Sequence, residues 1–203
     1  MNRTTRDLAI IAVFGGVWGA LELSIGSILH VVFPPFTDTF MVGIIMGGLA
    51  ALVALVGRQF VPVRGSVFSM AVVAALLKAA NVGGATIGPL VAILAEGVLM
   101  ELALLIPGSI RRGGFVLAGA LATAWSLPHK FILQWLLYGQ GLLAVAKKMV
   151  KDGSALLHVP AVSVLAVLGL LLTIRLVVGA LAGWVAWDLG QAVRRRTSRD
   201  ETT

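Results

Sequence analysis

The chain of 203 residues contains no cysteine and only 12% charged residues. The first absence excludes disulfides and thiol chemistry. The second excludes a soluble globular domain, which is about one quarter charged and near half apolar; this chain is 59% hydrophobic, with a mean hydropathy of +0.99. Catalytic spacings are missing as well. His30, His129 and His158 are too scattered for the H-E-x-x-H pattern that puts two metal ligands on one helix face, and no serine sits in a G-x-S-x-G turn. Gly83 to Pro89 spaces its glycines like a phosphate loop, but Pro89 stands where lysine is needed, so this run cannot bind and hydrolyse ATP. Gly139-Gln140-Gly141 resembles a dinucleotide fingerprint without the strand that should precede it. The expectation is a protein that is not an enzyme and holds no cofactor or metal.

What the sequence does contain is apolar residues in consecutive blocks, at 8–32, 40–57, 67–80, 87–106, 115–137 and 159–189. Blocks near 20 residues match the hydrocarbon thickness of a bilayer. Strands of a membrane barrel would alternate polar and apolar residues, whereas these blocks are apolar on successive positions. The pattern predicts an all-α integral membrane protein, a single six-helix domain over 1–203. The first block is too long for a cleaved signal peptide and has no small-residue cleavage site. No internal repeat is evident.

Cations decide orientation, because they are retained on the cytoplasmic side. In a six-span arrangement ten arginines (Arg3, Arg6, Arg58, Arg64, Arg111, Arg112, Arg194, Arg195, Arg196 and Arg199) share one side, and only Lys147, Lys148 and Lys151 face the other. Both termini are therefore expected in the cytoplasm. The net charge of +7 reflects this topology rather than an affinity for nucleic acid. The Arg194–Arg196 run is expected as a tail touching anionic headgroups. Between helices five and six, Leu142, Leu143, Ala146, Met149 and Val150 recur at helical spacing opposite the three lysines, which predicts a short interfacial helix on the outer surface.

Two features rise above this background. In helix one Ala12, Gly16 and Ala20 form a stripe of small residues with Gly15 and Gly19 beside it; helices two and three continue the theme. Small residues let backbones approach closely, so such stripes mark helix contacts, either within the chain or with another membrane subunit. Gly179 and Gly183 in helix six are expected to serve internal packing. The second feature is a set of polar residues inside the spans: Glu22, His30, Lys78, Asn81, Glu96, Glu101, His129, Lys130, Gln134 and Arg175. A charge at mid-bilayer costs about 2.5–3.5 kcal/mol on insertion scales, so such groups pair with one another or line a wet cavity. Most converge on the outward half. Lys78 and Lys130 also suit snorkelling to the headgroups, and Glu101 with Arg175 suits an interhelical ion pair. Trp125 and Trp135 would wall a ring-shaped solute, and Pro128 would open space beside His129.

Six helices in about 200 residues, small residues along the first three, an outward polar pocket and no ATP motif resemble the substrate-binding S component of an energy-coupling factor (ECF) vitamin transporter. In that family an A-x-x-x-A stripe on helix one docks on a transmembrane coupling subunit, and Ala12, Gly16 and Ala20 match it with one glycine. The resemblance implies a protein of the prokaryotic plasma membrane that binds a vitamin or precursor from outside under a lid at 33–39. Asn81 to Gly84 and Gly88 to Glu96 would line the pocket, with His129, Lys130 and Gln134 opposite. A coupling subunit and two ATPases would power release into the cell. The alternative is a stand-alone ion-coupled carrier using Glu22, Glu96 and Glu101 as a relay.

Overall fold

The computed structural model describes residues 5–32, 42–80, 87–106, 108, 110–139, 147, 151 and 164–200. Among the described residues there are six helices and no strand: α1 (Thr5–Val32), α2 (Val42–Phe60), α3 (Ser66–Ala79), α4 (Ile87–Leu105), α5 (Arg112–Tyr138) and α6 (Val164–Asp200). Each coincides with one of the apolar blocks. The expected lid at 33–39 and, apart from residues 139, 147 and 151, the expected interfacial helix at 139–158 lie outside the described residues.

Four of the helices are long and apolar enough to cross a membrane: α1, α2, α4 and α6. At 14 residues, α3 is apolar but reaches only about 21 Å, against a hydrocarbon core of about 30 Å. Helix α5 has 27 residues but carries Pro128, His129, Lys130 and Gln134 in its second half. Large apolar side chains are exposed along five of the six, all but α2, among them Val13, Val17, Leu76, Leu102, Leu117, Leu121, Leu181 and Leu189. A surface of that kind suits lipid and not water. The chain is built as a membrane protein.

The helices close into a ring in the order α1, α3, α4, α5, α6, α2, with α2 also packed on α5. Helix α2 is the most enclosed of the four spanning helices, with 56% of its apolar window buried. It can occupy that place because Gly47, Gly48, Ala50, Ala51 and Ala54 keep its surface thin. The tightest crossing joins α5 to α6. A methyl group added to Gly179 would collide with the Gly119 carbonyl oxygen, and one on Gly183 with that of Phe115. These two glycines, four residues apart, serve internal packing as expected. The core between helices is otherwise rich in alanine, with Trp18, Leu55, Ile93, Met100, Leu104 and Phe115 among its larger members.

At one end of the ring polar groups lock the short connection from α2 to α3. Gly65 precedes α3 with φ 82°, a left-handed conformation that glycine adopts without strain. The first amides of a helix have no partner within it. Here Glu101 on α4 supplies one from another helix, its carboxylate accepting from the Gly65 amide at 2.6 Å and the Val67 amide at 3.1 Å. Arg58 donates to the carbonyls of Val61 and Val63 and to the Ser66 hydroxyl. Gln59 ties the same corner to α6 by donating to the carbonyls of Ala186 and Trp187. Arg112 pairs with Asp188 and lies over the Trp184 ring.

Two expectations are corrected here. Glu101 does not pair with Arg175; its oxygens are occupied by the α3 amides, and Arg175 sits at a different level beside Ser126 on α5. The sixth helix does not end with its apolar block at 189: α6 carries Arg194, Arg195 and Arg196 and runs on to Asp200, because the residues after Gly190 include good helix formers and no proline.

Candidate functional site

At the opposite end of the ring, a cavity of about 260 Å³ opens between α1, α2, α3, α4 and α5. Its position follows from alternation of chain direction. The later turns of α1, α3 and α5 and the first turns of α2 and α4 meet there, so Glu22, Lys78 and His129 from late positions face Gly43 and Gly88 from early ones, with Glu96 at the middle of α4. Arg58, Arg64 and Arg112 cluster at the other end, beside the connections 61–65 and 106–111.

Four of the expected site residues line this cavity: Glu22, Lys78, Glu96 and His129. Lys78 does not snorkel away from the bundle. Its ammonium donates to the Glu22 backbone carbonyl at 2.8 Å and lies 3.7 Å from the Glu22 carboxylate. His129 is 8% exposed, and its Nε2 donates to the Gly88 carbonyl across the α4–α5 contact at 3.0 Å. Glu96 is 6% exposed, and no described residue hydrogen-bonds to its carboxyl. His30 lies in the last turn of α1, and Lys130 and Gln134 lie on α5. The side chains of these three fall outside the described residues, as does Asn81.

The aromatic walls are placed otherwise than expected. Trp135 is 58% exposed and faces away from the cavity. Trp125 and Pro128 line a separate apolar groove of about 430 Å³, formed by α4, α5 and α6 with Leu99, Leu121, Leu168 and Leu172. The Trp125 ring tilts against His129 with centroids 6.2 Å apart, so the histidine stands between groove and cavity. Helix α5 continues through Pro128 without interruption. The walls of the cavity are aliphatic instead, chiefly Val42, Met46, Ala92 and Ile93.

Two contributions were not anticipated. Ser126 lines the cavity, and its hydroxyl accepts from the guanidinium of Arg175, Nε to Oγ 2.9 Å, while donating to the Thr123 carbonyl at 2.8 Å. Arg175 itself is fully buried. The start of α2 is the other contribution, with Gly43 and Gly47 on the cavity wall. Ser126 lies three residues before His129, one turn earlier on the same face of α5. That spacing was the available signal. Gly43 offered none, being one of many small residues in its helix.

The small residues of α1 divide into two faces. Gly15 and Gly19 pack on α3, where an added methyl on Gly15 would stand 2.7 Å from the Met70 carbonyl oxygen and one on Gly19 2.9 Å from Leu77. Ala12 and Ala20 are exposed, and an added methyl on Gly16 would meet nothing within 4 Å.

A cavity holding carboxyl, ammonium, imidazole and hydroxyl groups over aliphatic walls can orient a small polar solute. Among the described residues no cluster of three histidine or acidic side chains is suited to a metal ion. Comparison with family models, curated proteins and solved structures found no match.

Proposed function

We propose that this chain is the membrane-embedded solute-binding subunit of an ECF-type importer, capturing a vitamin or related micronutrient from outside the cell. The observation that carries this reading is the polar cavity at the end of the bundle opposite Arg58, Arg64 and Arg112. With six spans and both termini in the cytoplasm, the arginine-rich end is the inner one and the cavity faces outward. The membrane is then the plasma membrane of a prokaryote. The Gly83–Pro89 run cannot serve as an ATP site, so energy comes from a coupling subunit and two ATPases. The outward face of α1, with Ala12, Gly16 and Ala20, is the surface on which the coupling subunit docks.

The cavity volume favours a solute no larger than a small ring compound, since pockets for drug-sized ligands run from about 300 Å³ upwards. Calorimetry on the purified chain against thiamine precursors, pyridoxal, pantothenate and cobalamin tests the reading. Binding of one of the first three, without cobalamin, is expected; no heat with any of them would sink the proposal. Co-purification with a coupling protein and an ATPase pair tests the assembly separately.

Glu22 and Glu96 in one cavity also suit a stand-alone ion-coupled carrier. Its third relay member is lost, because Glu101 caps α3 at the far end. Uptake into vesicles lacking any ATPase would favour the carrier over the importer subunit.

A further inference from the structure

The polar groups of the cavity are unequal in hydrogen-bonding role. Its ammonium, Lys78, donates one hydrogen to the Glu22 carbonyl and is charge-balanced by the Glu22 carboxylate 3.7 Å away. The Ser126 hydroxyl has a single hydrogen, which goes to the Thr123 carbonyl, so towards the cavity it offers only a lone pair. The Nε2 hydrogen of His129 goes to the Gly88 carbonyl. Glu96, 94% removed from solvent by its 6% exposure, lines the same space with no hydrogen-bond partner among the described residues, and the charged group facing it is another carboxyl, Glu22. Around Glu96 the cavity thus presents acceptors with no donor to match. A buried carboxyl in that position is costly until a donor reaches it.

We infer that Glu96 is the recognition group for a positively charged N–H function on a small organic solute, with Ser126 Oγ as a second acceptor. The solute would carry a primary ammonium or a protonated amidine-like nitrogen on an apolar body, the body lying against Val42, Met46 and Ile93. A charged N–H donor meets a carboxylate in the stronger class of hydrogen bond, and the enclosed site magnifies the difference between a cation and its neutral or anionic analogue. An organic cation fits better than a metal ion, because no set of three acidic or histidine side chains converges among the described residues. The inference rests on the reading of this cavity as the solute site and narrows the class of solute.

Three probes of one skeleton test it on the full-length chain in detergent: benzylamine, which is protonated at pH 7, benzyl alcohol and benzoate. Titration calorimetry should rank benzylammonium tightest by about tenfold or more, the worth of one charge-assisted hydrogen bond. Glu96→Gln should abolish that preference, bringing the amine to the level of benzyl alcohol. Should the variant fail to fold, the ranking on the natural chain decides alone. Benzoate or benzyl alcohol binding as tightly as the amine, a preference that survives Glu96→Gln, or displacement of the amine by sodium chloride but not potassium chloride would overturn the inference. So would silence towards all three probes while a vitamin of the panel above binds. Silence towards every compound would instead remove the solute-binding reading itself.

Discussion

Lys78 on α3 reaches across to α1, donating to the Glu22 carbonyl at 2.8 Å with the Glu22 carboxylate 3.7 Å away. The contact neutralises one of the two carboxyls of the cavity and fixes the wall on which they stand. Lys78→Met leaves Glu22 in an apolar surround, and should lower stability by about 1–3 kcal/mol, below the value for a fully buried pair because both side chains keep some exposure. The double variant Glu22→Gln with Lys78→Met should lose less than the sum of the two single changes. Melting curves in detergent check this; strict additivity would mean that the two groups do not interact.

Glu101 and Glu96 lie on one helix, yet their substitutions should act on different properties. Glu101→Ala leaves the Gly65 and Val67 amides without their acceptor and should cost about 1–3 kcal/mol of stability. Because that corner lies at the end away from the cavity, affinity for any bound solute should hold. Glu96→Gln should do the reverse, lowering affinity with little change in melting temperature. Paired melting and calorimetry on both variants decides. A drop in affinity for Glu101→Ala equal to that for Glu96→Gln would place both carboxyls in one site, against the geometry.

The six helices were legible because lipid demands apolar residues in consecutive runs, a signal that survives without any knowledge of packing. Their ends were less so: α6 continues through Arg194–Arg196 because helix propensity carries on where hydropathy stops. The site was legible to the extent that charge in lipid is costly, which singled out Glu22, Lys78, Glu96 and His129 together. The same argument pointed Glu101 to an ion pair with Arg175, since a hydropathy pattern does not reveal that a carboxylate can be satisfied by amides of a neighbouring helix. Ser126 was passed over because a serine in lipid is inexpensive and its importance lies in holding Arg175. Trp125 and Trp135 were assigned to the cavity by composition, but their direction around α5 sends them elsewhere.

Ser126→Ala tests that last link. The change removes the acceptor of a fully buried guanidinium nitrogen at 2.9 Å, which should cost about 1–3 kcal/mol in stability. It also removes an acceptor from the cavity wall, so solute affinity should fall together with stability. Ser126→Thr keeps the hydroxyl and should restore much of both. An alanine variant as stable as the natural chain would show that Arg175 finds equivalent acceptors without Ser126.

The two faces of α1 allow a fold effect to be separated from a docking effect. Gly15→Ala drives a methyl against the Met70 carbonyl and Val73 on α3, backbone and branched side chain that cannot rotate away, and overpacking of this kind costs about 1–3 kcal/mol. Gly16, one residue along, opens onto nothing within 4 Å, so even Gly16→Leu should leave the isolated chain as stable as before and its solute affinity intact. If the coupling subunit docks on this face as proposed, the leucine stands between two backbones that small residues bring together, and co-purification should be lost. Stability, affinity and recovery of the complex are three separate readings on one variant. Loss of stability in Gly16→Leu would show the face to be internal after all, while unchanged recovery of the complex would move the docking surface off α1.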